Sequence, residues 1–115
     1  MNERIVMWND FFSGTLSGNA TRYVEFNAPV RFIYAKAWAE NDSSATLALA
    51  GATNMSITAA AVGDSGDPAE ITPASGDTDY AAADEKITLT LDYDGASGTA
   101  AANVGVELFF LHGEG

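Results

Sequence analysis

Apolar and polar positions alternate with a period of two along most of the chain, as in strands with one face in a core and one in water. Residues 86–93 show it most cleanly. Ile87, Leu89, Leu91 and Tyr93 share one face, and Lys86, Thr88, Thr90 and Asp92 share the other. Residues 103–111 repeat the pattern more densely, with Val104, Val106, Leu108 and Phe110 set against Gly105, Glu107, Phe109 and Leu111. Apolar side chains on both faces predict a strand covered on both sides, by the core and by a neighbour. Residues 30–39 predict a third long strand, entered through Ala28-Pro29, where the proline biases the backbone to an extended conformation. Val30, Phe32, Tyr34 and Trp38 form its expected aromatic face, interrupted by Lys36. Shorter strands are expected at 4–8, with a second piece at 10–12, and at 21–26, 45–50, 54–62 and 69–72.

Turn-forming clusters separate these runs: Ser13-Gly14, Ser17-Gly18-Asn19, Asn41 to Ser44, Gly51, Gly63 to Pro68, Pro73 to Asp79 and Asp94 to Gly98. Short strands punctuated every 8–15 residues predict an all-β chain. The expected architecture is an antiparallel β-sandwich, jelly-roll-like, of about eight short strands. Residues 80–85, Tyr-Ala-Ala-Ala-Asp-Glu, have the propensity for one helical turn. No repeat of fixed period argues for a solenoid or propeller.

Composition sharpens this picture. The chain has 115 residues, the length of one domain. Residues 1–12 read as an N-terminal arm or first strand, and 13–115 as a single β-sandwich domain. Apolar residues are 47% of the total, but 21 of them are Ala, so large core side chains are few. Ala48, Ala50 and Ala59–Ala61 predict smooth, low-relief surface. Such surface suits either a thin sandwich or packing against an identical subunit. There is no Cys and a single His, which excludes disulfides, thiolate metal sites and multi-histidine centres. No apolar run approaches the ~20 residues that span a bilayer. Glu3 and Asp10 interrupt the N-terminal stretch where a signal peptide needs an apolar run, so the expectation is synthesis and use without Sec export.

Sixteen acidic residues against five basic ones give a net charge of −11. Such a chain repels phosphate backbones and anionic membranes, so neither nucleic acid nor membrane is an expected partner. Arg4, Arg22, Arg31 and Lys36 fall in the first 36 residues, whereas the remainder holds Lys86 alone with most of the acids. This asymmetry reads either as local ion pairing or as a docking surface on the N-terminal strands, with the acidic loops pointing away.

Catalytic and metal motifs are weak. Gly63-Asp64-Ser65-Gly66-Asp67-Pro68 looks like the nucleophile loop of chymotrypsin-like serine proteases, but Asp67 stands where that loop has its second glycine. His112 is the only candidate base, and a chain of this length cannot hold that family's double barrel. The residues form turns readily, which accounts for them. Asp92-Tyr93-Asp94-Gly95, Asp77 with Asp79, and Asp64, Asp67 and Glu70 offer oxygens for Ca²⁺, but none matches a complete calcium loop. Solvated turns explain them. The chain calls for no cofactor and no metal, and no enzyme activity is expected. Trp38 and Tyr34, or Trp8, are the aromatic candidates for stacking on a sugar.

Taken in order, the features are a short N-terminal segment, Tyr23-Val24-Glu25-Phe26-Asn27-Ala28-Pro29, the strand Ile33-Tyr34-Ala35-Lys36-Ala37-Trp38, Gly/Ser/Asp loops and an apolar strand from Val104 to Leu111. Over nearly the full length this order resembles the small jelly-roll proteins of tailed-phage virions, especially capsid decoration (cement) proteins. The resemblance implies a non-catalytic protein, made in the host cytoplasm, on the outer capsid surface. It implies a major capsid protein as partner and a homo-oligomer, a trimer being favoured, with the N-terminal arm in contact. On that reading the capsid or oligomer contacts would include Arg4, Ile5, Met7, Trp8, Phe11, Phe12, Arg22 and Arg31. The alternative is a carbohydrate-binding jelly roll, lectin-like or receptor-binding.

Overall fold

The computed structural model describes residues 4–113. They form ten strands and no helix: β1 (Arg4–Thr15), β2 (Ala20–Val24), β3 (Val30–Ala39), β4 (Thr46–Gly51), β5 (Ser56–Ala61), β6 (Gly63–Asp64), β7 (Ala69–Ile71), β8 (Tyr80–Ala81), β9 (Ile87–Asp92) and β10 (Ala102–His112).

Their pairing is nested. β4 pairs antiparallel with β5, β3 with β7 and β8, β2 with β9, and β1 with β10. A long hairpin of this kind exposes one apolar face, and rolling it up buries that face. Two further antiparallel pairings, β10 with β3 and β9 with β4, complete the roll. One sheet then runs β1-β10-β3, with the short β6, β7 and β8 sharing the far edge of β3, and the other runs β2-β9-β4-β5. This is a jelly-roll sandwich. β6 is parallel to β3, the one parallel pairing among the described residues.

The core lies between the sheets. Val30, Phe32, Val104, Val106, Leu108 and Phe110 come from the first sheet, and Leu47, Leu49, Ile57, Ile87, Leu89 and Leu91 from the second; all are buried. Phe110 sits at the centre, with the Phe26 ring 5.0 Å away and the Phe32 ring 5.8 Å away.

β3 departs from simple alternation. Its register with β10 shifts by one between Phe109 and Phe110, leaving an extra residue on β3 between Phe32 and Tyr34. A bulge of one residue reverses which face the following side chains take. Val30 and Phe32 therefore point inward, but so do Ala35, Ala37 and Ala39. Tyr34, Lys36 and Trp38 turn outward. The single aromatic face expected from the sequence is split across the sheet, and Lys36 faces solvent, where a lysine belongs.

β1 is one strand where the sequence suggests two pieces, and it continues past residue 12 to Thr15. Residues 80–85 make no helical turn: β8 opens them, and Asp84 has φ +63°. That loop delivers Glu85, the buried charged residue of the described chain, to the β4–β5 turn. Glu85 Oε2 accepts from the N–H groups of Thr53, Asn54 and Met55, and Oε1 from Asn54 Nδ2 and the Ala82 N–H. On the surface, Asp77 ties the 73–78 loop to β5. Hydrogen bonds from the Thr58 hydroxyl, then from the Ala74 N–H, hold its carboxyl below the ordinary range.

Candidate interaction face

Alternation along β1, β10 and β3 sets one row of side chains on the outer side of the first sheet. The register aligns them across the strands. Ile5 lies beside Leu111 and then Arg31. Met7 lies beside Phe109 and then Tyr34. Asn9 lies beside Glu107 and then Lys36. Phe11 lies beside Gly105 and then Trp38.

Ile5 is 65% exposed, Met7 50% and Phe11 57%, high values for such large apolar side chains. Tyr34 and Phe109 stack on each other with centroids 4.5 Å apart and planes 15° from parallel. Gly105 is present for a steric reason. A Cβ built there would overlap the Trp38 indole, which lies across the strand at that point. The face is thus apolar at both ends and crossed by one charged row, where Lys36 stands between Glu107 and Glu70. Contiguous exposed apolar surface of this kind marks an interaction site. The described residues enclose no pocket, so whatever this face meets is met on an open surface.

Gly105→Ala is expected to push the indole off the sheet. The cost is about 1–3 kcal/mol. Tryptophan emission should shift to longer wavelength as the ring gains water, which a fluorescence-monitored urea melt reads together with stability.

No family model, curated protein or solved structure compared with the chain matches it. The site therefore rests on its own geometry.

The residues singled out in the sequence separate into groups. Ile5, Met7 and Phe11 come together on the outer face, and Arg31 joins their first row. Arg31 Nη1 bonds Asp79 Oδ1 at 2.6 Å. Arg4 opens β1 and is exposed. Trp8 and Phe12 point the other way: Phe12 is buried and Trp8 packs against the core. Arg22 stands on the opposite sheet. Its guanidinium lies 4.4 Å from the Phe12 ring centroid and bonds Asp10 Oδ2 at 2.6 Å, joining β2 to β1. Both ion pairs are solvent-exposed enough to be worth no more than about 1 kcal/mol. The arginines thus serve local pairing more than an open basic patch.

Sequence reasoning did not put Phe109, Leu111 and Gly105 in the site. The signal was there, since residues 103–111 are apolar on both faces, but it read as burial on both sides. Trp38 lies over Gly105 and Tyr34 stacks on Phe109, but among the described residues no further element packs on that side. Glu40, Asp42, Asp67 and Asp94 stand in loops and Asp64 ends β6, and no group of three or more acidic or histidine side chains converges as a metal site among the described residues. In the Gly63–Pro68 loop, Asp64 Oδ1 accepts from the Gly66 and Asp67 N–H groups, an ordinary Asx turn.

Proposed function

We propose that this protein is a non-catalytic structural component of a phage virion, a capsid decoration protein that binds and stabilises the shell of major capsid protein. The outer face of the β1–β10–β3 sheet is its docking face. The observation that carries this reading is the row of exposed Ile5, Met7 and Phe11 beside half-buried Phe109 and Leu111 on one face of the jelly roll. An apolar, open, slightly charged surface suits a broad protein partner. The net charge of −11 supports an outward position, away from packaged nucleic acid.

The test is compositional. Particles purified on a density gradient from cells that carry the gene are analysed by quantitative mass spectrometry. The chain is expected in a fixed ratio to the major capsid protein and should be released by mild denaturant before the shell dissociates. Its absence from such particles overturns the reading.

One observation favours a second reading, glycan binding. Trp38 and Tyr34 are both partly exposed on the same face, with Lys36 and Glu107 between them. Aromatic faces beside polar groups stack on sugar rings. Under that reading Trp38→Ala abolishes retention on a glycan surface and free sugar releases the wild type. Under the decoration reading neither effect is seen.

A further inference from the structure

Among the described residues no strand pairs with the outer edge of β1. N–H groups alternate in direction along a strand. The Gly113 N–H donates to Pro29 O, on the β3 side of β10. From Val104 to His112, odd-numbered residues of β10 therefore address β3 and even-numbered ones address β1; ahead of Asn103, with φ +52°, the sense reverses, and Ala102 O accepts from the Glu40 N–H. The register joins even residues to even, Trp8 with Leu108 and Val6 with Phe110. The odd residues Ile5, Met7, Asn9 and Phe11 consequently turn their N–H and C=O groups to the outer edge. The Phe11 N–H agrees independently. It donates to Asp10 Oδ1 at 2.8 Å, not to β10.

So the edge is closed at one place and open at three. Asp10 caps Phe11, and past Phe12 the register slips and Gly14, with φ +79°, bends the strand. Between Arg4 and Asp10 there is no proline, lysine or bulge, the devices that usually blunt an edge.

We propose that a second copy of the chain pairs antiparallel with this edge, across a two-fold axis at Met7. In that register Met7 faces Met7 of the copy, and Ile5 faces Asn9. All the uncapped odd residues then meet as hydrogen-bonded pairs. Arg4 falls opposite Asp10 of the copy, twice by symmetry, where it joins a carboxylate that already accepts from Arg22 and from the Phe11 N–H. Shifting the axis to Trp8 would set Ile5 against the capped Phe11 and lose that charge match. The two-fold axis aligns like faces, so the two outer faces join into one sheet of doubled width. This pairing stands independently of the virion reading, and it is two-fold where the phage resemblance implies a trimer.

Two substitutions and one exchange measurement test it. Met7→Lys sets two lysines face to face across the axis. Met7→Pro removes an N–H that β10 does not use, as an edge strand tolerates. Light scattering after size exclusion should give the wild type twice the 12.0 kDa of the chain and both variants a single chain, with unchanged circular dichroism. Hydrogen exchange supplies a readout that survives poor behaviour of either variant. In the wild type the amides of Ile5, Met7 and Asn9 should exchange at least about tenfold more slowly at high than at low protein concentration. A wild-type monomer, a trimer, or a dimer that Met7→Lys leaves intact overturns the proposal, as do unprotected odd amides.

Discussion

Glu85→Ala is expected to lower the stability of the fold by about 3–4 kcal/mol, and the melting temperature by roughly 10–20 °C. The reason is the donors left behind. The Glu85 carboxylate accepts five hydrogen bonds: three from consecutive N–H groups of the 53–55 turn, one from Asn54 Nδ2 and one from the Ala82 N–H. Glu85 is only 7% exposed, so water cannot replace all of them without opening the loop. Glu85→Gln keeps the shape and should cost less, about 1–2 kcal/mol, because a neutral acceptor bonds more weakly and its NH₂ meets donors. Gly51 gives an independent handle. A Cβ there would overlap Glu85 Oε2, so Gly51→Ala evicts the same carboxylate. The double variant should then be less destabilised than the sum of the singles.

The same group carries an acid-sensitivity prediction. Burial pushes its pKa up, but the hydrogen bonds from Asn54, Ala82 and Met55 outweigh burial and hold it at about 2, against an ordinary 4.5. A carboxyl more acidic in the folded than in the unfolded chain stabilises the fold above its unfolded pKa. That contribution fades as pH falls from 4.5 through about 2. Its upper bound is about 3 kcal/mol. Urea melts between pH 5 and 2 should show the wild type losing this increment and Glu85→Gln losing much less of it.

Phe110→Ala should have an effect at least as large, about 3–5 kcal/mol. The side chain is fully buried and meets the Phe26 and Phe32 rings, with the His112 ring 5.8 Å from Phe26 behind them. Few large side chains fill this core, and the alanines Ala35, Ala37 and Ala39 that follow on the neighbouring β3 are too small to fill a void. Phe110→Leu should recover a good part of the loss. The consequence reaches the surface, because Phe109 and Leu111 flank Phe110 on β10 and take their direction from it. Denaturant melts of the three proteins measure the effect.

Much of the fold is legible in the sequence because it depends on short-range alternation. The strand 86–93 was marked by Ile87, Leu89 and Leu91, and all three are buried in β9. What was not legible depends on partners distant in the chain. The β3 bulge exists only in register with β10, so Tyr34 and Phe32 look like one face until that pairing is known. The two pieces expected at 4–8 and 10–12 are one strand because β10 templates them both. The two-residue β6 and β8 are too short for a pattern and form where β3 offers an open edge, whereas β7 falls within the strand expected at 69–72. The outer face was half legible. Ile5, Met7 and Phe11 stood out, but Phe12 and Trp8 had the same composition and the opposite direction. Gly105 became meaningful only when Trp38 was seen lying across it.

The proposed docking of the outer β1–β10–β3 face on a capsid shell makes that face the place where one added charge should abolish binding. The direct measurement is co-sedimentation of the purified chain with particles stripped of it, for wild type, Phe11→Glu and Tyr23→Glu. Phe11 is 57% exposed on that face, and Tyr23 is 61% exposed on β2, in the opposite sheet. Each change adds one negative charge at an exposed aromatic; at Tyr23 the Lys86 ammonium, 4.6 Å from the ring centroid, stands ready to pair with the new carboxylate. Loss of binding by Phe11→Glu with retention by Tyr23→Glu is the result predicted. Equal binding by all three, or loss through Tyr23→Glu alone, would contradict it.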